Sequence, residues 1–144
     1  MNRADTSAEI ADLVAAVSRR IRIDANRDLG PLGVTWAQVR ALRMLARAAG
    51  PMRMSDLADR LDIARRSATS VVDELAGRNL VERHDDPVDR RAVAVVVTEH
   101  GVRLLEKLRS RRRAAASALT AGLSISELTT LHDLLARLGA RDDG

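Results

Sequence analysis

Apolar positions recur at helical spacing along most of the chain and switch once to strict alternation. Ile10, Leu13, Val14, Val17 and Ile21 mark a first helix, opened by the capping-box pair Thr6 and Glu9 and stopped at Asp28-Leu29-Gly30-Pro31. Thr35 with Gln38 opens a second helix, which carries Trp36, Val39, Leu42 and Leu45 and runs to Gly50-Pro51. Ser55 is a good N-cap for a short third helix presenting Leu57, Ala58 and Leu61. A break at Asp62-Ile63-Ala64 precedes a fourth helix over about 65–78, with Asn79 suited to the left-handed position beyond its end.

From Leu80 the period falls to two. Leu80 to His84 reads as a strand, Asp85-Asp86-Pro87-Val88-Asp89 as a turn, and Ala92 to Thr98 as the returning strand. Thr98 then caps a long fifth helix through about Thr120. Ser124 with Glu127 opens a sixth, marked by Ile125, Leu128, Leu131, Leu135 and Leu138. The expected order is α-α-α-α-β-β-α-α, mainly α with a small β part. Two short helices joined by a three-residue turn, with a hairpin behind them, make a winged helix-turn-helix. We expect that unit over 32–100, with dimerisation helices at 1–31 and 101–144.

Composition narrows the chemistry. The 144 residues are 31% charged and 46% hydrophobic, which fits one globular unit rather than a disordered chain. No stretch has the length and apolarity of a membrane span, and the charged N-terminus lacks a secretory core. Cysteine is absent, which removes disulfides, thiolate metal sites and thiol nucleophiles and makes a cytoplasmic location the default expectation. Trp36 is the one aromatic residue, so base-stacking platforms for single strands are excluded. His84, His100 and His132 are scattered, and no glycine-rich phosphate loop occurs. We therefore expect no enzyme, no metal and no cofactor.

The net charge of +4 permits a polyanionic partner without demanding one. Residues 52–98 carry eight basic and nine acidic groups, so this segment is not uniformly basic. Its positive groups are clustered instead, at Arg65-Arg66 and at Arg83 with Arg90-Arg91, and local placement is what a groove senses through screening of about 8 Å. The Arg109-Ser110-Arg111-Arg112-Arg113 run lies mid-helix and reads more plainly as a solvated face.

Two stretches then stand out: Ser55-Asp56-Leu57-Ala58-Asp59-Arg60-Leu61, and Arg65-Arg66-Ser67-Ala68-Thr69-Ser70-Val71-Val72-Asp73-Glu74-Leu75. They are followed by Arg78-Asn79-Leu80-Val81-Glu82-Arg83, and by Asp89-Arg90-Arg91 running into Val95-Val96-Val97-Thr98-Glu99-His100-Gly101. In these motifs, dense over 35–108, the chain resembles the multiple antibiotic resistance regulator (MarR) family of bacterial transcription factors. It departs at Asp62 and Asn79, where glycines are common, and at Ser70, where many members carry arginine.

The fourth helix is suited to a major groove, with Arg65, Arg66, Ser67, Thr69 and Ser70 in its first turn and a half and Val71, Val72 and Leu75 turned inward. The hairpin of about 80–98 sets Arg90 and Arg91 for a narrow minor groove. The resemblance implies that Arg91 is the minor-groove arginine and Asp89 its orienting partner. Arg83 and Arg53 are candidates for phosphate positioning. The expected partners are double-stranded DNA and a second copy of the chain, the latter covering the apolar stripes of the first, fifth and sixth helices. The resemblance also implies release by a small aromatic or anionic effector, in a cleft that Trp36, Arg40, Arg43 and Met44, with Arg19 and Ile23, would line. The plainer reading makes Trp36 and Met44 core residues. The expected function is an operator-binding repressor; the rivals are a winged-helix protein-interaction module and a sequence-indifferent architectural DNA-binding protein.

Overall fold

The computed structural model describes residues 2–140; Met1 and 141–144, the ends of the expected dimerisation segments, lie outside the described residues. The elements are α1 (Arg3–Leu32), α2 (Trp36–Arg47), β1 (Met52–Arg53), α3 (Met54–Leu61), α4 (Arg65–Gly77), β2 (Val81–Asp85), β3 (Val93–Val97), α5 (Glu99–Thr120) and α6 (Ile125–Gly139). The chain divides within α5, after Ser110, into two compact units.

The helix starts follow capping chemistry with two corrections. Thr35 and Ser124 hold reciprocal boxes with Gln38 and Glu127. The Ser124 backbone and side-chain hydrogen bonds hold the Glu127 carboxyl below its ordinary range. Thr6, however, lies inside α1: Asn2 is the cap, its side chain accepting from Ala4 and Asp5 N–H at 2.7 and 3.0 Å. Asn2 wins because it satisfies the first N–H groups four residues earlier and so lengthens the helix. Ser55 likewise sits within the first turn of α3, whose cap position is Arg53 with no side-chain bond.

Gly30-Pro31 does not stop α1. Pro31 lies inside the last turn, and the helix ends at Gly33 (φ 66). Gly33 and Val34 N–H close back on Gly30 O and Leu29 O at 3.0 and 3.4 Å, with Leu29 and Val34 both buried, so a glycine-tipped, hydrophobically pinned terminus overrides the proline. Helix α2 stops at Arg47, three residues before Gly50-Pro51.

The first unit holds the core: Val39 and Leu42 of α2, Leu57 of α3, Val72 and Leu75 of α4, and Leu80, Val81 and Val95 of the sheet region are fully buried. Leu108 of α5 joins them. The sheet is antiparallel in the order β1-β3-β2, with Arg83 opposite Val95 and Met52 also opposite Val95. β1 adds a strand to the expected order; two residues are too short to show a period. Among the described residues, two non-glycine residues are left-handed: Asp62 (φ 54), in the turn between α3 and α4, and Asn79 (φ 57), after α4. These are the two positions where the sequence departs from glycine, and both residue types tolerate that conformation.

Along α1 almost nothing is buried before Leu29; Ile10, Leu13, Val14, Val17 and Ile21 are 43–65% exposed. In the second unit α6 has no buried residue, and Leu131, Leu134, Leu135 and Leu138 are 40–56% exposed.

Candidate nucleic-acid interface

Helix α4 buries Ala68, Val72 and Leu75 and turns its opposite face outward. Arg65, Arg66, Ser67, Thr69 and Ser70 are all exposed, as the spacing requires. Its cap position, Ala64, offers no side-chain acceptor, and its first turn carries no acid. The first N–H groups therefore remain open to an outside acceptor, beside two guanidinium groups and the positive end of the helix dipole. Thr69 Oγ1 donates to Arg65 O at 3.0 Å, so its hydroxyl proton is spent within the helix and its oxygen is left to accept.

The wing is organised by a residue that the sequence reading passes over as a turn position. Asp86, 8% exposed at its side chain, takes Arg53 Nε at 2.6 Å and Arg53 Nη2 at 3.2 Å. Its Oδ1 also accepts Val88 and Asp89 N–H at 2.8 and 3.0 Å. Those bonds hold its carboxyl well below the ordinary carboxylate range, Arg53 contributing most, then the Asp89 and Val88 amides. Beyond it Asp89 to Ala92 close a turn, Ala92 N–H donating to Asp89 O at 3.0 Å. Asp89 Oδ1 accepts the Arg91 backbone N–H at 3.0 Å. Asp89 thus shapes the Arg91 backbone.

Both of the expected phosphate-positioning arginines have other engagements. Arg53 braces the wing root through Asp86. Arg83 on β2 donates to Asp73 on α4, tying the wing to the reading helix. An open groove of about 370 Å³ joins the remaining parts. Arg65 and Thr69 of α4, Arg91 and Asp89 of the wing, and Arg53 and Ser55 at the start of α3 line it. Arg66, Ser67, Ser70, Arg83 and Arg90 do not line this groove, though all are exposed.

The expected effector-cleft residues have separate duties. Trp36 Nε1 donates to Asn26 Oδ1 at 2.5 Å, and Arg40 Nη2 to Leu61 O at 3.3 Å, at the end of α3. Trp36 is 41% exposed rather than core, whereas Met44 is half-buried against the core. Arg43 is half-buried, and Arg19 and Ile23 are exposed on α1.

The model of the MarR family matches residues 32–92, the span from α2 through β2 and the wing turn. The multiple antibiotic resistance protein MarR of Salmonella typhimurium is 30% identical over 114 residues, covering 78% of each chain. The chain belongs to the MarR family. A further relative, the HTH-type transcriptional regulator YhbI of Bacillus subtilis, is 30% identical over 139 residues, 96% of this chain and 90% of its own. Among solved structures, a point mutant of MepR from S. aureus, bound to an oligodeoxyribonucleotide, superposes with a TM-score of 0.77 at 22% identity, covering 92% of this chain and 96% of that one. The MarR-family relatives are transcriptional regulators rather than enzymes, and among the described residues no group of three or more His, Asp or Glu is placed to hold a metal. No described helix is long and apolar enough to cross a membrane.

Proposed function

We propose that this MarR-family regulator binds a pseudo-palindromic duplex operator as a homodimer and acts as a repressor by occupying it. The reading helix α4 enters the major groove and the wing turn the adjacent minor groove. The observation that carries this reading is the shared groove: a wing arginine and the exposed start of α4 line one open surface, as a duplex presenting both grooves requires. Arg66 and Arg65 are suited to pair bidentately with guanine. Arg90 and Arg91 are suited to the negative potential of a narrow A·T-rich groove. The dimer follows from the uncovered apolar stripes of α1 and α6, which a second copy would bury. Trp36 and Arg40, one turn apart on the exposed side of α2, are the groups that an aromatic or anionic effector would meet, and such a ligand would act by favouring a dimer shape with the wrong half-site spacing.

A salt titration with duplexes selected from a random pool tests the reading. Binding should weaken steeply with salt, log K falling by about 0.9 per phosphate contact in log salt. Arg91→Ala should weaken all selected duplexes by roughly tenfold. Arg66→Ala should instead relax preference at one base pair, by about 1–3 kcal/mol of discrimination. Flat salt dependence, or no duplex binding at low salt, would favour a protein-interaction module.

A further inference from the structure

Helix α1 contains 30 residues and is therefore about 45 Å long. Through Ile23 every described residue is exposed except the half-buried Thr6, and only Leu29 in the final turns is buried. The winged unit thus holds a long lever near one end. A swing of about 10° at that end moves the other by roughly 8 Å, so the stiffness of the last turn governs where the far end lies.

That last turn carries no basic residue of its own to meet its unpaired carbonyls. The cation arrives from elsewhere in the chain. Arg78, the residue after the end of α4, donates Nη1 to Gly33 O at 2.5 Å and Nη2 to Leu32 O at 2.8 Å. A Cβ on Gly33 would lie 3.5 to 3.6 Å from this guanidinium, so the left-handed glycine brings the α1 terminus and the fork close together. Two donors of one rigid plane on two successive carbonyls fix direction as well as distance, which one flexible ammonium would not.

We propose that Arg78 is a positioning residue for operator recognition: it pins the reading helix α4 to the α1 lever and so sets the separation of the two reading surfaces in the dimer. The inference rests on the DNA-reading dimer proposed above. Because Arg78 is exposed, its removal opens no hole in the core, and its loss should be felt as play in the lever rather than as unfolding.

The absence of cysteine gives a direct test. One spin label is placed on Asp59→Cys, an exposed position of α3, and the distance between the two labels of the dimer is measured by pulsed EPR without DNA. In the parent the distribution should be narrow; with Arg78→Ala it should broaden by several ångströms while the dimer persists and the melting temperature moves by less than about 3 °C. Duplexes with half-sites one base pair closer or farther should be discriminated several-fold less by Arg78→Ala, with an unchanged salt slope. Should Arg78→Ala melt much earlier, Arg78→Lys, which keeps the charge but not the fork, is read in both assays. A parent-like distance distribution and spacing profile in the readable variant overturns the inference. A parent that is monomeric, or that binds no duplex, overturns the dimer reading itself.

Discussion

Gly101→Ala should lower the melting temperature by roughly 10 °C, the signature of an overpacked site costing about 3 kcal/mol. On helix propensity alone the change should gain about 0.5–1 kcal/mol, so the sign depends on space. An added Cβ would stand 2.3 Å from Leu80 O and 2.7 Å from Val97 Cγ2. The first of these is backbone and cannot rotate aside. It is also fixed, because Leu80 O accepts Thr98 N–H at 3.1 Å. Thr98 Oγ1 in turn donates to Asn79 O at 2.5 Å and accepts Gly101 N–H at 3.1 Å. The start of α5 is thus knotted to the chain between α4 and β2, and a methyl group forces that knot apart. Gly139→Ala is the control, since its Cβ would meet nothing within 4 Å, and it should melt at or slightly above the parent temperature. Equal melting temperatures for Gly101→Ala and the parent would refute the packing argument.

On the proposed reading of the wing, Asp86→Ala should weaken DNA binding by roughly a hundredfold while leaving most of the fold intact, about tenfold for each wing arginine released from its pose. One carboxylate holds the Arg53 fork and the amides of Val88 and Asp89 together, and alanine replaces none of those acceptors. The turn that carries Arg90 and Arg91 then loses its anchor to the root of the sheet. The pH dependence has a definite sign. The folded-state pKa lies below the unfolded value of about 3.9, so the stabilisation is complete well above that value and drains away as pH falls from it toward and through the lower folded value. The stability difference between Asp86→Ala and parent should be constant from about pH 5 to 8 and shrink below about pH 4, as followed by denaturant titration at each pH. An unchanged affinity for Asp86→Ala would show that the wing arginines do not need this anchor.

The hairpin, most of the helix starts and the exposed side of α4 were legible because each depends on neighbours within a few residues: a capping box, a period, a left-handed asparagine. The partnerships were not legible. Arg53 meets Asp86 across 33 positions and Arg78 meets Gly33 across 45, and nothing in local spacing marks either pairing. Arg53 and Arg83 therefore read as free cations when each already holds a carboxylate. Asp86 carried a usable signal, since an aspartate before proline with amides two and three residues on favours a side-chain-capped turn. The stop at Gly30-Pro31 misled because proline near a helix end removes a bond that the terminus can replace, and the true stop at Gly33 depends on burial of Leu29 and Val34.

The unburied leucines of α6 and the bare aliphatic edge of α1 make solitude costly for a single chain in water. For the proposed homodimer, association and folding are then one mass-action event, and the heat resistance of the regulator should climb with its concentration. On the proposed dimer reading, copy number per cell would accordingly fix how much of the pool is competent to bind DNA.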